Sequence, residues 1–324
     1  MTFHTRPPPD LSELTDASIP ANALRAAGIF AAEVKSDPFV ASAVASQHAP
    51  GMDLGTKIAV AFARTPMTTA YAAHGLNELS GGRFHLGLGT QVRAHITRRF
   101  SMPWSQPTVR MREYVVAMKE IWESWRTNEP LAFKGEFYEH SLMTEYFVPE
   151  TRTQSAPPVW LASVGPRLTE VAAEVADGIV LHGFWTREYM DKVMMPAIDR
   201  GLEKGGRTRD DLAITGGGFL ITGATAEELA KKRELIRYQV AFYGSTPSYR
   251  PVWEAHDMGE LGDRLHTLSI EKSADRWQRM TSLISDEVLD LFAVTAEPAN
   301  VGTALLARHG DYADRISIPA LVGD

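Results

Sequence analysis

The chain contains no cysteine among its 324 residues. This absence excludes disulfide bonds, thiolate metal sites and a cysteine nucleophile. The sequence also lacks any run of about 18 apolar residues, the length that a bilayer-spanning helix needs. Its first residues, MTFHTRPPPD, show neither the apolar region nor the cleavage pattern of a signal peptide. We therefore expect a cytoplasmic protein with no membrane partner.

An excess of positive charge is missing as well. Lysine and arginine number 33 against 40 aspartates and glutamates, so the formal net charge is −7. Neutralising phosphates requires a basic surface, so this balance disfavours a nucleic-acid partner. No histidine–carboxylate cluster has metal-ligand spacing, and no G-x-S-x-G motif is present, which disfavours metal catalysis and a serine nucleophile.

The most informative stretch of the sequence is residues 54–91, which predict a strand, a helix and a second strand. The apolar run 58–63 predicts a strand buried on both faces. Residues 67–79 carry apolar side chains at helical spacing, and Ser80-Gly81-Gly82 ends that helix. Residues 83–88 predict the second strand. Such a unit implies two parallel neighbouring strands.

The same alternation continues along the chain. Strands are predicted near residues 3, 30, 60, 86, 160, 180, 217 and 316, with helices between them, one of them over residues 18–27. A doubly wound sheet would carry a G-x-G-x-x-G fingerprint after its first strand, and that fingerprint is absent. The pattern therefore predicts a single (β/α)8 barrel domain over residues 1–324.

Three segments stand out from this rhythm. Residues 107–125 predict an amphipathic helix that packs on the sheet, so its tryptophans are interpreted as core residues and not as a binding box. Residues 127–157 form a long connection that carries several aromatic residues. Residues 241–280 predict an insertion, loop-like over Phe242–Trp253 and then helical. We expect the two aromatic-rich segments to cover a substrate.

In such a barrel the active site lies at the C-terminal strand ends. This rule selects Glu33, the corner at residues 62–64, Gly89-Thr90-Gln91, Ser163-Val164-Gly165 and His182.

Each of these has a functional and a structural interpretation. Ser163-Val164-Gly165 precedes a helix whose N-terminus could bind a cofactor phosphate, or it is a plain capped turn. A flat ligand could lie on Gly87 and Gly89, or these glycines only relieve crowding inside the barrel.

The titratable candidates are similarly open. His182 could act as an acid, a base or a hydrogen-bond donor, or be a satisfied polar group. Glu33 could accept a hydrogen bond from a bound ring or be a structural carboxylate. His95 could face the mouth or cover it.

Several stretches resemble one family. LGTKIAVAFARTP, LSGGRFHLGLGTQV, MREYVVAMKEIWESW, PPVWLASVGPRLTEVAAEVADGIVLH and AFYGSTPSYRPVWEAH are similar to the luciferase-like monooxygenase superfamily. More narrowly, they resemble its branch of oxidoreductases dependent on coenzyme F420. The resemblance runs from about Asp10 to Ile318.

The resemblance implies a (β/α)8 barrel of the bacterial luciferase type with an insertion before the last βα units, usually assembled as a homodimer. It implies a flavin-like ring at the barrel mouth, lying against a bulged third strand that often holds a non-prolyl cis peptide. By position, the bulge falls at Ala61-Phe62-Ala63. The ring and its side chain would then contact Gly89, Thr90, Gln91 and His95, and the phosphate would contact Ser163, Val164 and Gly165.

Two positions depart from the family pattern. Val34 follows Glu33 where relatives that oxidise an alcohol or sugar commonly have a histidine, and Val92 stands where they use a glutamate. The usual acid and base therefore cannot be carried over, and His182 and Glu33 remain the catalytic candidates.

The resulting hypothesis is hydride transfer between coenzyme F420 and a small or medium organic substrate. The alternatives are an FMN-dependent monooxygenase that uses reduced flavin and oxygen, and a non-catalytic ligand-binding barrel.

Overall fold

The computed structural model describes residues 2–5 and 27–317. Its strands are β1 (Thr2–Thr5), β2 (Gly28–Ala31), β3 (Asp53–Thr56), β4 (Ala59–Val60), β5 (Phe84–Gly89), β6 (Phe133–Lys134), β7 (Glu139–His140), β8 (Val159–Ser163), β9 (Gly178–Leu181), β10 (Ala213–Gly216), β11 (Phe219–Ile221), β12 (Ala293–Thr295) and β13 (Arg315–Ser317).

Its α-helices are α1 (Pro38–His48), α2 (Pro66–Leu79), α3 (Arg93–Arg98), α4 (Pro107–Thr127), α5 (Pro166–Val175), α6 (Arg187–Tyr189), α7 (Met195–Gly205), α8 (Ala226–Gly244), α9 (Arg250–Glu254), α10 (Gly259–Ser269), α11 (Arg276–Ser282), α12 (Asp286–Phe292) and α13 (Val301–His309). No helix of the described residues is both long enough and apolar enough to cross a membrane. The helix predicted over residues 18–27 falls outside the described residues except at its last position.

Eight parallel strands close on themselves. Around the ring the pairs are β1–β2, β2–β3, β3–β5, β5–β8, β8–β9, β9–β10, β10–β13 and β13–β1. The predicted (β/α)8 barrel is therefore confirmed. Because all eight strands run the same way, their C-terminal ends meet at one mouth.

The barrel interior is filled by side chains below that mouth. Phe30 and Trp160 stack with their ring centroids 5.5 Å apart, and His85 lies 4.6 Å from Trp160. At the opposite end Asp53 pairs with Arg315 at 2.9 Å and with His85 at 3.4 Å. Burial alone would raise the pKa of Asp53, but its hydrogen bonds and charge interactions with His85 and Arg315 lower it to about 2. Within the described part of the barrel interior, space for a ligand therefore lies toward the mouth.

The strand predicted over residues 58–63 is confirmed only at Ala59–Val60, which form β4 and pair with β5. The barrel strand β3 ends at Thr56, a cis peptide joins Lys57 to Ile58, and after β4 the chain forms a 3-10 turn over Ala61–Ala63. An apolar run of this length suits a buried turn as well as a strand. The backbone N–H of Val60 donates to the Glu33 carboxylate at 2.7 Å, a side-chain partner that periodicity cannot reveal. The bulge predicted at residues 61–63 thus lies at residues 57–58.

Helix α4 confirms its predicted buried face, which includes both of its predicted core tryptophans, Trp122 and Trp125. The buried face of α2 differs from the face that its apolar spacing predicts. Thr69, Ala73 and Asn77 are buried, while the apolar Leu79 is exposed. Periodicity located both helices, but small and polar residues decide which face of α2 packs.

The loop predicted over Phe242–Trp253 is also wrong. Helix α8 continues to Gly244, and a short 3-10 turn leads into α9. The Trp253 indole N–H donates to the Gly244 carbonyl at 3.0 Å and its ring is fully buried. Trp253 therefore packs between α8 and α10, against Gly244 and Gly262, whereas Phe242 stays 43% exposed.

The strand predicted over residues 212–222 divides in two. Gly217 adopts a φ of 125° between β10 and β11, and β11 leaves the barrel to pair with β12. Glycine is favoured at such a φ, so the run of three glycines marks a bend and not a continuous strand.

Candidate active site at the barrel mouth

A cavity of about 330 Å³ lies at the mouth of the barrel. Its size falls within the range of small-molecule sites. It is lined by Lys57, Ile58, Ala162, Ser163, Val164, Val180, Leu181, His182, Gly183, Gly216, Gly217, Gly218, Phe219, Gln239, Tyr243 and Ser317. No lining residue of this cavity comes from 127–157, and the expected cover of a substrate stays a prediction for this segment. It packs instead along α2 and α4, where Tyr71 donates to the Phe147 carbonyl at 2.6 Å.

His182 follows β9 directly and forms part of the cavity wall. Its Nδ1 accepts a hydrogen bond from the Phe184 backbone N–H at 3.0 Å. The ring lies 4.7 Å from the ring of Tyr243 and 5.0 Å from that of Tyr249. Because Nδ1 uses its lone pair, the proton of the neutral ring belongs on Nε2.

Two of the three residues predicted to contact a phosphate, Ser163 and Val164, line the cavity. Ser163 Oγ accepts from the Thr169 hydroxyl at 3.0 Å, and the Val164 carbonyl accepts from the Tyr189 hydroxyl at 3.1 Å. These contacts fix the turn between β8 and α5.

Gly165 is the N-cap of α5, and no side chain caps that helix. A Cβ at Gly165 would meet no atom within 4 Å, so the space beside its backbone is open. The partial positive charge of the helix N-terminus is therefore accessible beside the cavity.

Glu33 does not line the cavity. Its Oε2 accepts from the Val60 N–H and from Arg64, each at 2.7 Å, and Arg64 also pairs with Asp37 at 2.5 Å. Burial would lower the pKa of Arg64, but its hydrogen bonds and ion pairs with the two carboxylates raise it. The geometry thus supports the structural interpretation of Glu33, and its role as a catalytic group stays a prediction.

The predicted ring contacts at Ala61, Phe62 and Ala63 lie elsewhere. Ala61 and Phe62 are fully buried, and Phe62 packs beneath the Arg110 guanidinium at 4.4 Å from its ring centroid. None of the three lines the cavity, because the chain reaches the mouth four residues earlier, at Lys57 and Ile58.

The glycines of β5 relieve crowding. A Cβ at Gly87 would overlap the Thr56 carbonyl oxygen, and one at Gly89 would lie 3.0 Å from the Ile58 side chain. These close contacts support the interpretation that the glycines relieve crowding inside the barrel. The contact of a flat ligand with Gly89 stays a prediction.

Thr90, Gln91 and His95 follow β5 on the rim and are not among the lining residues. Thr90 donates to the Gln91 carbonyl at 3.1 Å, and the Gln91 side chain accepts from the Val92 N–H at 3.0 Å. His95 is exposed on α3. Their predicted contact with a cofactor stays a prediction.

Sequence reasoning missed several lining residues, namely Lys57, Gly216, Gly217, Gly218, Phe219, Gln239, Tyr243 and Ser317. The glycine run was a usable signal, since glycines after a barrel strand indicate a close backbone approach or a bend. Gln239 and Tyr243 come from α8, and helical periodicity does not indicate which residues reach a mouth built by other elements.

A second cavity of about 380 Å³ lies between α2, α4 and residues 152–158. Its charged residues pair with one another, Lys119 with Asp177 at 2.9 Å and Arg126 with Glu123 at 2.5 Å. Asp177 precedes β9, which places this cavity at the N-terminal strand ends, the stability face of such barrels. Across the described part of the chain, no group of three potential metal ligands converges.

Comparisons with known proteins agree with this architecture. The family model described as luciferase-like monooxygenase matches residues 4–315. An uncharacterized protein of Mycobacterium tuberculosis is 42% identical over 309 residues, covering 95% of this chain and 90% of that protein. A 5,10-methylenetetrahydromethanopterin reductase of Archaeoglobus fulgidus is 26% identical over 252 residues, covering 76% and 70%.

Solved structures share the fold. The coenzyme F420-dependent tetrahydromethanopterin reductase from Methanopyrus kandleri superimposes with a TM-score of 0.78 at 15% identity, covering 99% of this chain and 94% of that one. The oxygenating constituent of 3,6-diketocamphane monooxygenase from Pseudomonas putida, in complex with FMN, gives a TM-score of 0.61 at 12% identity, covering 95% and 85%. The barrel, its mouth cavity and the match over residues 4–315 lead to one conclusion: the chain belongs to the luciferase-like monooxygenase family.

Proposed function

We propose that the protein is an oxidoreductase that binds coenzyme F420 at the barrel mouth and transfers a hydride between this cofactor and a small or medium organic molecule. The observation that carries the proposal is the mouth cavity itself, in a member of this family whose fold matches that of a coenzyme F420-dependent reductase. The cofactor would supply the hydride chemistry, and the protein would supply position and electrostatics.

The residues present fit such a cofactor. Ile58, Val164 and Phe219 provide apolar walls for a flat ring. The open backbone at Gly165 and the uncapped N-terminus of α5 suit a phosphate. His182 lies in the wall of the same cavity, directly after β9.

We also propose a homodimer, as the resemblance implies. Leu142, Tyr146 and Phe147 are 75%, 90% and 59% exposed, which supports a partner surface on the segment that crosses α2.

The test is a titration of the purified protein with coenzyme F420 and, separately, with FMN, followed by quenching of tryptophan fluorescence. We expect saturable binding of coenzyme F420 with clear preference over FMN. Preference for FMN would favour a flavin-dependent monooxygenase, which the likeness to the FMN complex keeps as the second candidate. Binding of neither would contradict both and leave a non-catalytic barrel.

A further inference from the structure

Two segments that are distant in sequence pack together beside the mouth. One follows β9 and contains Gly183, which lines the cavity, and Phe184. The other lies around α9 in the insertion. The Phe184 ring lies 5.2 Å from that of Tyr249 and 5.4 Å from that of Trp253, and all three rings are buried. This part of the cavity wall therefore depends on how α9 is held.

His256, two residues after α9, joins the same two segments by polar contacts. Its Nε2 lies 2.6 Å from the Thr186 hydroxyl oxygen, and its Nδ1 lies 3.1 Å from Glu188 Oε2. The Thr186 oxygen also accepts from the Tyr189 backbone N–H at 3.2 Å, as the N-cap of α6. Thr186 is 1% exposed and the His256 side chain 8%, so a hydrogen bond lost here is not readily replaced by one to water.

The network has one consistent proton arrangement when His256 is neutral. A hydrogen bond from Lys192 lowers the pKa of Glu188, so this carboxyl is ionised and only accepts. The ring proton of His256 therefore lies on Nδ1. Nε2 then accepts from the Thr186 hydroxyl, whose oxygen in turn accepts from the Tyr189 N–H. Each donor has an acceptor, so the neutral ring holds the end of α9 to the start of α6.

Protonation of His256 disrupts this arrangement. A proton on Nε2 points at the Thr186 oxygen and displaces the hydroxyl hydrogen from the acceptor that the described residues provide for it. A buried donor without an acceptor is costly. The compensating gain is small, because Glu188 already pairs with Lys192 at 2.5 Å and is 42% exposed. Burial accordingly lowers the pKa of His256, and the charge of Glu188 offsets this only in part.

The other charged groups around His256 are already engaged. It borders an open cavity of about 440 Å³, through which protons from solvent can reach it. The charged residues of this cavity from neighbouring elements have partners, namely Arg187 with Asp191 and Asp311, Asp290 with Arg233, and Arg308 with the Ala293 carbonyl. Of the groups nearest to His256, Lys192 lowers its pKa and Asp257 raises it. The state of the contact therefore depends chiefly on His256 itself.

We propose that His256 is a pH-sensitive clasp, whose neutral ring holds the insertion against the segment after β9 and whose protonation releases it. Release loosens the cavity wall at Gly183 and lowers the affinity of the mouth for its ligand. The release itself is independent of the proposed function, whereas its effect on coenzyme F420 rests on that function.

The experiment compares wild type with His256→Gln, whose amide oxygen can accept from Thr186 but does not titrate in this range. The control is His140→Gln on β7, because burial also lowers the pKa of His140. Hydrogen exchange, corrected for intrinsic rates, measures the protection of backbone N–H groups over residues 184–190 and 249–258 from about pH 8 to about pH 5. Tryptophan quenching measures the affinity for coenzyme F420 over the same range.

We expect acidification to reduce the protection of both segments about tenfold in wild type and in His140→Gln, and much less in His256→Gln. The loss of affinity for coenzyme F420 should be about fivefold greater in the first two proteins than in the third. Because folding lowers the pKa of His256, its contribution to stability is present above about pH 6.5 and is lost as the pH falls.

An equal loss of protection in wild type and in folded His256→Gln would overturn the clasp. If circular dichroism shows that His256→Gln does not fold, Glu188→Gln decides, because it removes the charge that favours the protonated ring. Release should then require a lower pH, and an unchanged midpoint would contradict the inference.

The link to the mouth has its own outcome. Release of both segments with the same change in coenzyme F420 affinity in all variants would overturn that link. Failure of the wild type to bind coenzyme F420 at any pH would defeat the proposed function, and hydrogen exchange would still test the clasp.

Discussion

At the scale of single residues, the chemistry of the mouth depends on which atoms are already engaged. Glu33 Oε2 accepts hydrogen bonds from the Val60 N–H and from Arg64. These bonds connect the segment after β2 to the turn after β4. His182 Nδ1 accepts a hydrogen bond from the Phe184 backbone N–H, so the proton of the neutral ring lies on Nε2. Both residues follow a barrel strand, but Glu33 makes structural contacts whereas His182 forms part of the cavity wall.

Replacing Glu33 should therefore affect stability more than ligand binding. We expect Glu33→Gln to lower the free energy of unfolding by about 1–3 kcal/mol, since a charge-assisted, largely buried contact is weakened. Urea denaturation measures this loss. The matched control Glu123→Gln removes an exposed pair with Arg126 and should leave the urea midpoint unchanged. Unchanged stability with abolished cofactor binding would instead return Glu33 to the site.

At the scale of elements, the shape of the mouth depends on where the barrel strands end. The bend at Gly217 lets β10 end in the barrel and β11 leave it, and both neighbours of this glycine line the cavity. A Cβ at Gly217 would lie 2.7 Å from the Ser317 carbonyl oxygen. The backbone conformation and the close approach both require glycine at this point.

Gly217→Ala should therefore destabilise the fold by about 1–3 kcal/mol, the cost of a strained backbone conformation. The control is Gly302→Ala in α13, where a Cβ would meet no atom within 4 Å. That change should be neutral or stabilise by about 0.5–1 kcal/mol, as alanine does in helices. Thermal and urea unfolding measure both variants. Equal changes in the unfolding free energy of Gly217→Ala and Gly302→Ala would contradict the requirement for glycine at the bend.

The elements also show how far sequence reasoning reaches. Helix α4 was predictable because its apolar spacing is long and regular, and its tryptophans are buried as expected. The structure of residues 58–63 was not predictable, because this one apolar run forms both a short strand and a buried turn. The hydrogen bond that holds it comes from Glu33, which is distant in sequence. Position after a strand located His182 and Ser163, but not Tyr243, which reaches the cavity from α8.

At the scale of the whole molecule, closure of eight parallel strands gathers distant segments into one wall. Residues 57 and 317 meet at the same cavity although the whole barrel separates them in sequence. The alternation of elements was sufficient to predict this closure. The opposite end holds the Asp53–Arg315 pair and a cavity of mutually paired charges, features of a stabilising face. At the other end, the mouth, we propose that coenzyme F420 binds.

The most direct test measures the affinity of coenzyme F420 for Tyr243→Ala and Tyr238→Ala. Tyr243 lines the cavity beside His182, whereas Tyr238, on the same helix, contacts Trp277 and is 39% exposed. Tyr243→Ala should weaken binding about fivefold, the loss of an aromatic contact of about 1 kcal/mol, while Tyr238→Ala should match wild type. Equal affinity of coenzyme F420 for both variants and for wild type would contradict binding at this mouth.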